Sequence, residues 1–199
     1  LREACRTAAR WQKSGYTLRM SVNVSPVQLR RSSFIDMVKS ALTDSGADPR
    51  QLEFEITERV VVGGHAESIS ALRQIDALGI QIAIDDFGTG FSSLSYLTKL
   101  PVHELKIDRS FTQLLTTDVQ GERVVQAVLA LADAYGLEVT AEGVETPGQA
   151  SALTRMGCAS AQGWHFGRPV TAAAVDDLLA FDRDVPRPTA PVGVRPRQR

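Results

Sequence analysis

Residues 80–86 read IQIAIDD: Ile80, Ile82 and Ile84 share one parity, while Gln81 and Asp85 fall on the other. A period of two marks a β-strand with one apolar and one polar face. The same alternation recurs at residues 18–25 (LRMSVNVS), 52–57 (LEFEIT), 103–108 (HELKID), 137–142 (LEVTAE) and, more briefly, 157–162 (GCASAQ). One parity carries Val22, Val24, Leu52, Phe54, Ile56, Leu105, Ile107, Leu137, Val139 and Ala141. The other carries Ser21, Asn23, Ser25, Glu53, Glu55, Glu104, Lys106, Asp108, Glu138, Thr140, Glu142, Ser160 and Gln162. Helical periodicity fills the gaps, over residues 27–46, 65–78, 119–135 and 148–156, each run ending at or just before a glycine.

Strands alternating with helices imply parallel βαβ units. A parallel sheet covered by helices on both faces reads as continuous apolar runs, whereas these strands are apolar on one face only. The polar face then lines an enclosure, which a barrel interior provides. An antiparallel sheet with one wet face is the commoner source of alternation, but the intervening helices argue against it. The expected class is therefore α/β, a (β/α)8 TIM-like barrel.

Such a barrel needs eight strands and about 250 residues; the 199 residues supply six. Residues 1–15 (LREACRTAARWQKSG) read as an amphipathic helix already under way, with Leu1, Ala4, Cys5, Ala8 and Trp11 at helical spacing. We expect a barrel incomplete at its N-terminus, with about six βα units and two strands upstream of Leu1, and a sheet edge open to aggregation. A short helix over residues 170–181 would close the domain, 1–181. Residues 182–199, holding four of the nine prolines and five arginines, are expected to be a disordered tail.

The charge balance excludes several function classes. With 22 Lys and Arg against 23 Asp and Glu, the net charge is −1, too little basic surface for a nucleic-acid binder that works by neutralising phosphates. No run approaches a membrane span and no secretory signal opens the chain, so a cytoplasmic location is expected. Cys5 and Cys158 lie far apart without CxxC spacing, which argues against a disulfide framework or a thiolate zinc site. His65, His103 and His165 form no ligand set.

Parallel barrels gather their chemistry at the C-terminal ends of the strands. The last polar-parity residues there are Asn23, Glu55, Asp85, Lys106 or Asp108, Glu142 and Gln162. Singly each has an ordinary explanation as a turn, a cap or a solvated side chain; jointly, at equivalent positions, they describe one acidic mouth. Converging carboxylates raise one another's proton affinity unless cations neutralise them. Oxygen ligands of this kind select magnesium or manganese over zinc. Adjacent Asp85 and Asp86, with other carboxylates nearby, suit two bridged ions of the sort that activate water against phosphate esters.

The segments SVNVS (21–25), EITE (55–58), DDFGTGFSSLSYL (85–97), LKID (105–108), AEGVE (141–145) and QGWHFGRP (162–169) resemble, in order, the motifs of EAL-domain cyclic di-GMP phosphodiesterases. The resemblance covers residues 1 to about 180. It implies an EAL-type barrel with one antiparallel strand, cleaving cyclic di-GMP to linear pGpG with two Mg2+ or Mn2+ ions. By motif it implies Asn23, Glu55 and Asp85 on one ion and Asp85, Asp86 and Glu142 on the other. Lys106 would orient or deprotonate the attacking water, and Glu145 and Gln162 would support the ions' water shell and the substrate. Asp108 and either Phe166 or Trp164 would complete the substrate end. Glu58 would brace the loop after Asp86, with its Gly88 and Gly90. The family also implies a homodimer and leaves open an upstream sensory or diguanylate cyclase domain. The EAL motif, with a metal-binding Glu and a phosphate-contacting Arg, is expected on the strands before Leu1, so hydrolysis by these 199 residues alone is expected to be weak or absent. Two other readings stay open: a receptor that binds cyclic di-GMP without cleaving it, and an enolase-type magnesium barrel with a Lys base.

Overall fold

The computed structural model describes residues 1–58, 60, 66–89, 97 and 99–184, the side chains of 182–184 excepted. They form two units, Leu1–Arg168 and Pro169–Arg199. The first holds six strands: β1 Met20–Asn23, β2 Leu52–Thr57, β3 Gln81–Phe87, β4 Glu104–Ile107, β5 Glu138–Ala141 and β6 Ser160–Ala161. All neighbours pair parallel, in the order β1-β2-β3-β4-β5-β6. This is the sheet of an incomplete TIM-like barrel.

Its curl follows from a distance. In a flat sheet β1 and β5 would stand about 19 Å apart, at about 4.8 Å per strand. Arg19, one residue before β1, nevertheless reaches Glu138 at the start of β5 with a 3.1 Å ion pair. Such a contact requires the polar face to be concave. The convex face carries Leu52, Phe54, Ile56, Ile82, Ile84, Leu105 and Ile107, each at most 1% exposed, in one apolar core with the helices.

Those helices are α1 Arg2–Lys13, α2 Pro26–Leu29, α3 Phe34–Ser45, α4 Ala66–Ala77, α5 Arg109–Leu114, α6 Val119–Tyr135 and α7 Pro147–Met156. Side-chain caps start several of them: Ser25 and Thr146 form capping boxes with Gln28 and Gln149, and Asp108 and Asp118 cap α5 and α6. Left-handed Gly46, Gly136 and Gly157 end α3, α6 and α7.

The single helix expected over residues 27–46 is two. Four consecutive polar residues, Arg30, Arg31, Ser32 and Ser33, interrupt the apolar face, and tightened turns (Arg31 N–H to the Gln28 carbonyl, Phe34 N–H to the Arg31 carbonyl) redirect the chain. The break lets Leu29 and Phe34 both reach the core, at 2% and 4% exposure. The second unit contributes α8, Ala172–Asp184, which continues past the expected end at Phe181; its first turn is fastened by the Ala174 N–H donating to Thr171 Oγ1. Most of the expected tail, 185–199, lies outside the described residues. No helix among the described residues is long and apolar enough to cross a membrane.

Candidate active site

Alternation decides which residues share the concave face, and one irregularity decides what happens at its mouth. Between β3 and β4, Ile84 pairs with Leu105 but Phe87 pairs with Ile107. Three steps on β3 answer two on β4, so β3 carries one extra residue at Asp85–Asp86. A regular strand would send these side chains to opposite faces; the bulge brings both to the rim. The backbone cost is visible at Asp86, whose φ is 54°, the only positive value at a non-glycine among the described residues.

The carboxylates of Asp85, Asp86 and Glu142 lie within 4.8 Å of one another. Burial raises the proton affinity of Asp85, with Glu55 adding to the rise and Lys106 opposing it. Burial likewise raises that of Asp86, helped by the charges of Asp85 and Asp108. In Glu142 burial outweighs the pull of Lys106. Carboxyls crowded and buried in this way gain from a cation among them, the donor chemistry expected of a hard divalent-ion site. Asp85, Asp86 and Glu142 fit such an ion by residue type and proximity.

Lys106 is 4% exposed and donates to Glu55, itself 7% exposed, and to Glu142 Oε1 at 3.0 Å. Burial favours its neutral form, but the two hydrogen bonds outweigh burial and hold its pKa above the ordinary lysine value. In this arrangement Lys106 is an ammonium. Gln162 Nε2 donates to the same Glu142 oxygen at 2.7 Å, which ties β6 to the rim. Asn23, exposed at the end of β1, is placed beside Glu55 by strand register.

Asp108 caps α5 through the Ser110 N–H at 3.0 Å. Burial would raise its pKa, but hydrogen bonds with Ser110 and with the Asp86 side chain outweigh burial and lower it. Glu58, 4% exposed, accepts from the Gly88 N–H at 3.3 Å. Gly88 has φ 98°, and a Cβ there would lie 2.9 Å from the Phe111 ring. Gly90 and most of the loop after it lie outside the described residues, as does His65.

Glu145 is exposed in the turn before α7, where its backbone N–H donates to Gln149 Oε1. Phe166 and Trp164 are 60% and 56% exposed, with His165 edge-on to Phe166 and the Arg168 guanidinium 4.7 Å above the Trp164 ring. Neither aromatic is a core residue. His103 Nε2 sits 3.3 Å from Asp76, away from any ligand set.

One group escaped the sequence reading. Arg19 lies beneath the rim and binds Glu53, Glu104 and Glu138 at once. Its parity matches that of Ser21 and Asn23, and that match was the available signal.

A family model described as the EAL domain matches residues 1–169. The bifunctional diguanylate cyclase/cyclic di-GMP phosphodiesterase MucR of Pseudomonas aeruginosa is 42% identical over 181 residues, 90% of this chain and 26% of that protein. The cyclic di-GMP phosphodiesterase NbdA of the same organism is 39% identical over 180 residues, 90% of this chain and 23% of that protein. The chain thus spans about a quarter of the length of these relatives. The solved structure of the MucR phosphodiesterase in complex with c-di-GMP superposes with a TM-score of 0.84 at 41% identity, over 87% of this chain and 71% of that one. Klebsiella pneumoniae BlrP1 with manganese and cyclic di-GMP superposes with a TM-score of 0.77 at 26% identity, over 86% of this chain and 43% of that one.

Proposed function

Because the chain belongs to the EAL domain family, we propose that it hydrolyses cyclic di-GMP to linear pGpG at the rim formed by Glu55, Asp85, Asp86, Lys106 and Glu142. The observation that carries this reading is the bulge-made cluster of Asp85, Asp86 and Glu142. On this reading Asn23, Glu55 and Asp85 hold one divalent ion, Mg2+ or Mn2+, and Asp85, Asp86 and Glu142 hold a second. Bound there, the ions would lower the pKa of a water and offset charge on the phosphate. The manganese and cyclic di-GMP complex of BlrP1 supports that choice of metal for the relatives.

The chain's own residues do the rest. The Lys106 ammonium donates a hydrogen bond that orients the attacking water and faces the charge growing on the phosphoryl oxygens. A general-base role does not suit it while Glu55 and Glu142 keep it protonated. Water oxygen attacks phosphorus and the bond from phosphorus to the 3′ oxygen breaks; one of the water's protons passes to the leaving 3′ oxygen and the other to solvent, which opens the ring to a 5′-phosphorylated linear dinucleotide. Gln162 and Asp108 border the substrate end, and exposed Phe166 offers a face for a guanine. Glu58 steadies the loop start through the Gly88 N–H. The reading extends to a homodimer, measured by light scattering.

The test is chromatography of cyclic di-GMP incubated with the chain and manganese. A slowly formed pGpG product, lost on chelation, is the expected result. Tight binding by titration calorimetry with no linear product would favour the receptor reading instead.

A further inference from the structure

Beneath the rim lies a second polar layer that the proposed chemistry does not use. Arg19 Nη1 is 2.6 Å from Glu104 Oε2 and 3.3 Å from Glu53 Oε2, and Nη2 is 3.1 Å from Glu138 Oε2. Ser21 Oγ donates to Glu53 at 2.8 Å, and the Thr140 hydroxyl donates to Glu104. Glu53 and Glu104 are 2% and 3% exposed. Every strand from β1 to β5 contributes: β3 supplies Gln81, whose Oε1 is buried without a partner and which pairs in register with Glu53. The charged groups facing this layer from above are Glu55 and Lys106.

The layer and the rim share strands. Glu53 is two residues before Glu55, Glu104 two before Lys106, Glu138 four before Glu142 and Arg19 four before Asn23. At a rise of about 3.3 Å per residue, the first two pairs are about 7 Å apart along their strands. Strand spacing fixed below is inherited above.

We infer that Arg19 is a positioning residue, clamping β2, β4 and β5 through Glu53, Glu104 and Glu138 and thereby setting the reach of Lys106 to Glu55 and Glu142. The clamp holds three carboxylates, from β2, β4 and β5, on one guanidinium. The inference rests on the proposed hydrolysis for its rate measurement only.

The test compares the chain with R19M and R19K. Melting temperatures identify the folded variants, kcat and KM for cyclic di-GMP are measured with manganese, and crystal structures of the parent and R19M are compared. We expect R19M to lose about tenfold or more in kcat with KM within about threefold, and R19K, which keeps a cation there, to recover a substantial part. We expect Lys106 in R19M to lose its reach to Glu55 or Glu142. A merely structural role would lower the R19M melting temperature but leave the kcat of folded molecules and the Lys106 contacts unchanged, and that result overturns the inference. If R19M does not fold, R19Q is read by the same criterion. If the parent chain hydrolyses nothing, the proposed function fails, and the Lys106 contacts alone decide the clamp.

Discussion

At the floor of the barrel Glu53, Glu104 and Glu138 close on the Arg19 guanidinium, and the hydroxyls of Ser21 and Thr140 satisfy remaining oxygens. Higher on the same strands Glu55 and Glu142 close on Lys106, while Asp85, Asp86 and Glu142 crowd together. Both layers put several acids around one base, yet they are finished differently. At the floor Glu53 and Glu104 are almost fully buried and every carboxylate is on the arginine, which with Glu138 reaches solvent. The rim has more carboxylates for its single lysine, and burial raises the proton affinity of three of them. A planar guanidinium with several fixed donors completes a network, whereas an ammonium leaves lone pairs over. The same chemical vocabulary therefore yields a strut at one depth and a receptive site at another.

Removing the rim's cation should break that contrast most severely. Lys106→Ala strips Glu55 of its buried partner, and we expect a kcat loss of about a thousandfold together with a melting temperature several degrees lower, read by steady-state kinetics and calorimetry. Next, manganese should raise the melting temperature of the parent, since a ligand at about 100 times its Kd contributes about 2.7 kcal/mol. Asp86→Asn should remove most of that shift, and chelation should return the parent to its metal-free value. The floor variant E53Q should keep the shift.

A pH series sharpens the comparison further. Because the folded pKa values of Asp85, Asp86 and Glu142 lie above their ordinary values, protons compete for the rim at higher pH than for isolated carboxylates. Manganese affinity should therefore weaken as pH falls, beginning above the usual carboxylate range, with protons released on binding, both measurable by titration calorimetry. The floor has the opposite sign: the raised pKa of Glu53 gives stability that is complete below about pH 4.5 and lost as pH rises through about 7, by a few kcal/mol at most. The smallest effects belong to glycines. A Cβ at Gly143 would meet Arg109 Cβ at 2.3 Å, and Gly143→Ala should cost about 2 kcal/mol; at Gly136, where φ is 67° and nothing lies within 4 Å, the cost should be about 1 kcal/mol. Denaturant unfolding of the two variants checks the difference.

The parity of Ile82, Ile84, Leu105 and Ile107 against Glu53, Glu55, Glu104 and Lys106 was enough to read a parallel sheet with one polar, concave face, because burial acts on every second residue. The rim followed from the same count, read at the strand ends. Arg19 was not legible because it precedes β1, far from the C-terminal strand ends, and its role needs the curl that brings β1 to β4 and β5. The bulge was also illegible: nothing in the letters Asp85-Asp86 says that β3 gains a residue over β4, since register is a property of the pair of strands. The break after Leu29 was hidden by residues that helices tolerate on exposed faces, and only the need to bury both Leu29 and Phe34 decides it.

The supernumerary residue in β3 makes the number of acids at the mouth depend on chain length rather than on side-chain identity alone. Deleting either aspartate would restore strict alternation up to Phe87 and leave a lone carboxylate where a neighbouring couple now stands. On the proposed two-ion reading, a shortening of that kind would leave a seat for one ion, with Asn23, Glu55 and Glu142 unchanged.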